Sequence, residues 1–323
     1  MAARPISATK LLVASAGIAT LLSCGGGGYG GSQPAGMPTA SLALTAANAQ
    51  NVAGDATLAS LDASKRGISF ALAQLQGDAL PRTHVLSRFL AQQIGALIGH
   101  QQAQPAVLRG AAVAMACGIS GTKSVDASGT TESVTFSACS DLPGESISGS
   151  FTISNIVATS TGLSGSASAD LIFSFTGFPD EHLTGNFAFS VATVGSVTTT
   201  TLSGPAIQVS QGTDTQQLGS FTLVSSVDSS TGARTDTVTL NFASTGIGGS
   251  VNITTLTPFQ TAAGKTFPSS GTILISGAMG SAIKLTVLGD ESAPTPQVRI
   301  EIDADGNGIF ETVLNKNWSD LSV

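Results

Sequence analysis

Residues 149–194, GSFTISNIVATSTGLSGSASADLIFSFTGFPDEHLTGNFAFSVATV, decide the fold class. Large apolar side chains return at every second position: Phe151 and Ile153, then Leu171, Phe173 and Phe175, then Phe187, Phe189 and Val191. Ser, Thr and Asn fill most of the places between them. Successive side chains of a strand point to opposite faces, so a period of two describes strands with one buried and one wetted face. Such one-sided burial belongs to antiparallel sheets.

The same alternation continues outward. SVTF carries Val134 and Phe136, and DTVTLNF carries Val238, Leu240 and Phe242. PAIQVS, GSFTLVSS, SVNITTL, GTILISG, AIKLTVLG and QVRIEID read the same way. Short links such as SSTGAR and STGIGG supply the Gly and Ser that hairpins require. No long helical segments alternate with these strands, which excludes a Rossmann fold or a TIM barrel. The expectation is a mainly β domain over residues 115–323, with about a dozen antiparallel strands in a meander, a sandwich or a curved open barrel. A G-x-F-x-[IFL] pattern starts at Gly149, Gly185 and Gly219, spaced by 36 and 34 residues, close to two hairpin units. An internal repeat, and with it a solenoid, therefore stays open.

Residues 46–114 form a small helical segment in this reading, packed on the sheet. Asn48 is a candidate cap for a short helix starting near Ala49. In THVLSRFLAQQIGALIGH, residues 83–100, Val85, Leu86, Phe89, Leu90, Ile94, Leu97 and Ile98 recur at three- and four-residue spacing, as on one helix face.

The chain opens MAARPISATK, followed by the apolar run LLVASAGIATLL at residues 11–22. That run suits a signal peptide and is short for a membrane span. Leu21-Leu22-Ser23-Cys24 resembles the bacterial lipobox, which implies export, cleavage after Ser23 and a diacylglycerol thioether on Cys24. Leu22 departs from the more usual Ala or Thr. By resemblance to Gram-negative lipoproteins, Gly25 after the cysteine, in place of Asp, implies forwarding to the outer membrane. Residues 24–45 read as the lipidated cysteine and a Gly-rich flexible tether, and the tether holds Tyr29, the only tyrosine. Removing residues 1–23 takes away Arg4 and Lys10 and leaves 11 Lys+Arg against 20 Asp+Glu. An acidic chain without a basic cluster is a poor match for nucleic acid.

With Cys24 lipidated, Cys117 and Cys139 remain in an oxidising compartment, and a disulfide is the economical account. Loop entropy assigns such a bridge about 3–4 kcal/mol. The acidic stretch VRIEIDADGNGIFETVLNKNW is the other local feature. Asp303, Asp305, Asn307 and Glu311 offer side-chain oxygens, Ile309 a carbonyl, and the glycines let the chain curl, as a hard cation requires. Its start looks like a calcium-binding EF-hand loop. Leu314 stands where that loop needs a bidentate carboxylate, and the flanks alternate like strands. A β-hairpin with an Asp/Asn/Gly turn is therefore expected, with Ca2+ as the one candidate cofactor.

Motifs for catalysis are sparse. G-x-S-x-G, H-E-x-x-H, P-loop and dinucleotide fingerprints are all missing, and the three histidines, His84, His100 and His182, form no ligand spacing. The lipobox, the Gly-rich tether, Asn48-Ala-x-x-Val-Ala53, the cysteine pair and the closing DADGNG with Trp318 together resemble a loosely defined group of proteobacterial envelope lipoproteins. The resemblance implies an outer-membrane address, facing periplasm or cell surface, and no particular activity. The expected role is non-catalytic: structural, adhesive or partner-binding, toward an envelope protein or a glycan. A carrier of lipid or another apolar ligand lined by Phe173, Phe175, Phe187 and Phe189 is the alternative, and a secreted hydrolase a lesser one.

Overall fold

The computed structural model describes residues 38–72 and 113–321. Cys24, most of the tether, and the expected helix at 83–100 with His84 and His100 lie outside the described residues.

Helix α1 spans Ala49–Leu72. The strands follow as β1 (Val113–Ala116), β2 (Ser120–Ser128), β3 (Thr131–Ser140), β4 (Glu145–Thr159) and β5 (Gly162–Phe175). Next come β6 (Glu181–Val194), β7 (Val197–Gln211), β8 (Asp214–Asp228), β9 (Arg234–Ser244) and β10 (Gly249–Thr261). The last four are β11 (Ser270–Ser276), β12 (Ala282–Val287), β13 (Val298–Asp303) and β14 (Thr312–Lys316), before the helical turn α2 (Trp318–Leu321). All fourteen belong to one sheet in the order β1 through β14, each pairing antiparallel with its neighbours in sequence. The architecture is thus a meander. A sandwich and a solenoid are replaced by a single sheet, and the strand order leaves β1 and β14 as edges, so no tight barrel closes.

The alternation read from the sequence becomes one buried face. Val134, Phe136, Phe151, Ile153, Leu171, Phe173, Phe187 and Phe189 lie on it, as do Val238, Leu240 and Phe242. β11, β12 and β13 continue it with Ile273, Ile275, Ile283, Leu285, Ile300 and Ile302, all fully buried. The opposite face carries cross-strand hydroxyl pairs, such as Ser133 with Thr152 at 2.6 Å and Thr199 with Ser226 at 2.9 Å.

The three G-x-F motifs fall on β4, β6 and β8, one up-and-down strand pair apart. They mark irregularities in the pairing. Register shifts separate Asn186 from Ala188 in β6 and Gly219 from Thr222 in β8, where Ser220 adopts φ 43°. Pro205, with no N–H to give, sits at the same level of β7. Bulges of this kind bend a sheet and raise its twist, which curves the buried face. Phenylalanines fill the space that glycines leave on the next strand: Phe189 opposes Gly165, and Phe221 opposes Gly204.

α1 packs on this face against β7, β8, β9, β12 and β13. Ala49, Val52, Ala53 and Ala56, at helical spacing, are its buried stripe, and their small size permits close approach. The helix is longer than the short one expected from the sequence. Asn48 also acts differently. Its Oδ1 accepts the Thr45 N–H at 2.8 Å and its Nδ2 donates to the Ala43 carbonyl at 2.9 Å, so it braces the preceding turn. Residues 40–44, read with the tether, are held by the sheet. Leu42 N donates to Ser250 O at 2.9 Å, Ser250 N to Ala40 O at 3.0 Å, and Ala278 N to Leu42 O at 2.8 Å.

The chain's end clasps the same helix. Trp318 is buried and stacks on Phe267 at 4.7 Å between centroids, its Nε1–H donating to Gly289 O at 2.9 Å. Gln50 Nε2 donates to Asp320 O at 3.1 Å, and a Cβ added to Gly54 would lie 2.8 Å from Leu321 O.

A Cβ on Gly204 would lie 2.6 Å from Asn186 O and 3.0 Å from the Phe221 ring. Gly204→Ala is expected to destabilise the fold by about 1–3 kcal/mol in urea unfolding. An unchanged midpoint would show that the strands have slack at this crossing.

Candidate functional site

The acidic loop joins β13 to β14, whose pairing runs from Val298↔Lys316 to Ile302↔Thr312. Asp303 closes β13 and is 3% exposed. Its Oδ1 accepts the N–H of Gly306 at 2.8 Å and of Asn307 at 3.2 Å, and its Oδ2 accepts the N–H of Gly308 at 2.8 Å. One carboxylate therefore organises the whole turn. Gly306 and Gly308 take φ 75° and 86°, conformations that favour glycine.

Asn307 is the second organiser. Its Nδ2 donates to Asp305 Oδ2 at 3.0 Å and to Glu311 Oε1 at 2.9 Å, and its Oδ1 accepts the Ile309 N–H at 2.7 Å. The structure thus brings together four of the five residues singled out for a cation. Carboxylate oxygens of Asp303, Asp305 and Glu311 lie within 4.8 Å of one another, with the Asn307 amide between them. Ile309 is 65% exposed and joins through its backbone N–H to Asn307. Oxygens so spaced can converge on a divalent ion. The same contacts also satisfy the turn with no ion, because each Asp303 oxygen already accepts an N–H.

Cys117 and Cys139 form a disulfide, with Cα atoms 5.5 Å apart and 22 residues between them in sequence. The Asp141 carboxylate lies beside the sulfurs and accepts the Gly118 N–H at 2.7 Å. Two sulfurs bonded to each other supply no thiolate, so this group is a structural staple and a poor metal site.

The four phenylalanines proposed to line a ligand site belong to the core. Phe173, Phe187 and Phe189 are buried, and the half-buried Phe175 packs against the same cluster. His182, on β6, bonds through Nε2 to Asp170 Oδ1 at 2.7 Å as an exposed pair.

One buried polar group escaped the sequence reading. Asp236 is fully buried on β9, accepts the Ser225 hydroxyl at 2.6 Å and lies 2.7 Å from Arg234 Nε. That ion pair is close but not aligned as a hydrogen bond. Parity in RTDTVTLNF was the available signal, since Arg234 and Asp236 share the register of Val238, Leu240 and Phe242.

Comparison with protein-family models, curated proteins and solved structures finds no match.

Perturbed carboxyls lie elsewhere. Asp228 is held down to about 2 by the hydroxyl and N–H of Ser230. Asp290 is lowered by the hydroxyl and N–H of Ser292, with Lys265 adding. For Glu291, burial pushes upward, but the N–H groups of Thr266 and Phe267 and the charge of Lys265 outweigh it, and the net shift is down. These contacts latch the 262–269 loop to the 288–297 loop, beneath which Trp318 is stacked. Carboxyls lowered on folding stabilise above their unfolded pKa, and that contribution is lost as pH falls through the folded value. Fluorescence of Trp318, the only tryptophan, is expected to stay constant near neutrality and to change from about pH 4 downward. Glu291→Gln, a neutral stand-in for the protonated acid, should show at neutrality a spectrum shifted toward the one the parent protein reaches in acid, and a pH-independent spectrum in the parent protein would refute the latch.

Proposed function

We propose that the protein is a non-catalytic envelope component, lipid-anchored through Cys24 to the outer membrane, with a structural, adhesive or partner-binding role. The observation that carries this reading is the single open meander with one face in the core and the other covered by hydroxyls. Among the described residues, no nucleophile, base and oxyanion donors converge as an acyl-transfer site would need. A sheet of this extent offers edges and loops to an envelope protein or a glycan. The lipobox and the Gly-rich segment after it support the anchored placement.

Within this reading the acidic loop is a weak calcium site. Asp303 shapes it, while Asp305 and Glu311 would supply further oxygens. Millimolar Ca2+ is expected to raise the melting temperature by a few degrees. Glu311→Ala should remove that gain while keeping the Asp303-centred turn, and Asp303→Ala with Asp305→Ala should remove both. Identical melting curves in calcium and in chelator would dismiss the site.

Native mass spectrometry of the protein extracted from its own membrane tests the larger reading. A covalent lipid mass on the N-terminal cysteine, alone or with a protein partner, is the expected result. A further releasable lipid-sized mass would transfer support to the apolar-ligand carrier. An unmodified cysteine would remove the anchor.

A further inference from the structure

We propose that the end of the sheet formed by the β11–β12 and β13–β14 loops docks on the lipid surface, with Met279 and Ile309 entering it, a reading that rests on lipidation of Cys24. In an antiparallel meander the links after odd-numbered strands gather at one end and those after even-numbered strands at the other. Residues 40–44 are bound at the odd-numbered end. Leu44 N donates to Ser281 Oγ at 2.9 Å, and Leu42 bonds to Ser250 and to Ala278, at 2.9 and 2.8 Å. Ala40 follows Cys24 by 16 residues, so the covalent chain can separate the lipid from this end by no more than roughly 55 Å. The segment that follows Cys24 in sequence thus joins the sheet at this end, beside the β11–β12 loop.

The surface beside that attachment fits lipid. Met279 is 85% exposed, the most of any large apolar side chain among the described residues, and Ile309 is 65% exposed. Their loops touch backbone to backbone, since a Cβ on Gly280 would lie 3.3 Å from Gly306 Cα. Met279 also holds φ 54°, a conformation that any side chain with a Cβ adopts at a cost. An unbranched thioether adapts readily to irregular apolar surroundings. Asp303, Asp305 and Glu311 beside these two residues would be repelled by anionic headgroups, so the surface suits zwitterionic lipid.

The test uses the full lipidated chain carrying Met279→Cys, Ile309→Cys or, at the opposite end, Val194→Cys, which replaces a side chain 79% exposed. Each is labelled with a nitrobenzoxadiazole fluorophore and reconstituted into phosphatidylcholine vesicles containing doxyl-lipid quencher. The N-terminal peptide of each sample is weighed in parallel. Quenching at positions 279 and 309 is expected to exceed that at 194 by at least twofold, and to fall when phosphatidylglycerol replaces half of the lipid. Equal quenching at all three positions in protein that carries its lipid would overturn the docking and leave the anchor standing. A peptide without lipid would overturn both.

Discussion

A sheet with one apolar face has to hide that face, and fourteen strands give it a great deal to hide. Ser and Thr on the outer face can stay in water, whereas Phe, Leu, Ile and Val on the inner face cannot. Most of the structure answers that single demand. Irregular pairing at β6, β7 and β8 bends the sheet, glycines open room for phenylalanines on the adjacent strands, and a helix edged with alanine fits where a bulkier one would stand off. The buried Asp236 conforms as well, since Ser225 and Arg234 on the same face give its charge partners.

The acidic loop and the disulfide solve smaller versions of one problem, which is how to end or turn a strand near the rim of the sheet. Asp303 does so by collecting three backbone N–H groups on one buried carboxylate. The disulfide fixes the turn after the short edge strand β1 to β3 through a covalent bond. Both lie near the sheet's edges, where pairing on one side only leaves strands least constrained.

Periodicity made much of this legible in advance. The period of two in residues 149–194 places the same phenylalanines in the core that the structure buries, and hairpin signals in SSTGAR and STGIGG fall on real turns. The choice among meander, sandwich and open barrel was beyond that signal, because alternation reports which face is buried and carries no information about which strands are neighbours. The bracing role of Asn48 was hidden for a related reason: its partners, Thr45 and Ala43, precede it, whereas a cap serves the helical residues on its C-terminal side. In the acidic loop, residue identity announced the convergence of Asp303, Asp305, Asn307 and Glu311. The burial of Asp303 and its command of the turn required the pairing of β13 with β14. Arg234 and Asp236 were readable by parity and were passed over because charged residues are normally assigned to the wet face.

Nearly every strand contact in this protein joins sequence neighbours, yet the inner face is closed by pieces from the two ends of the described chain. α1 rests against Leu321, and residues 40–44 against Ser250 and Ala278. Hairpins can zip one after another at little entropic cost, while those closures span more than two hundred residues and must wait. The order of assembly is thus written into the topology. The first helix can settle on β7, β8 and β9, but the turn Trp318–Leu321 completes its seat, so truncation at the C-terminus would be felt at the N-terminus.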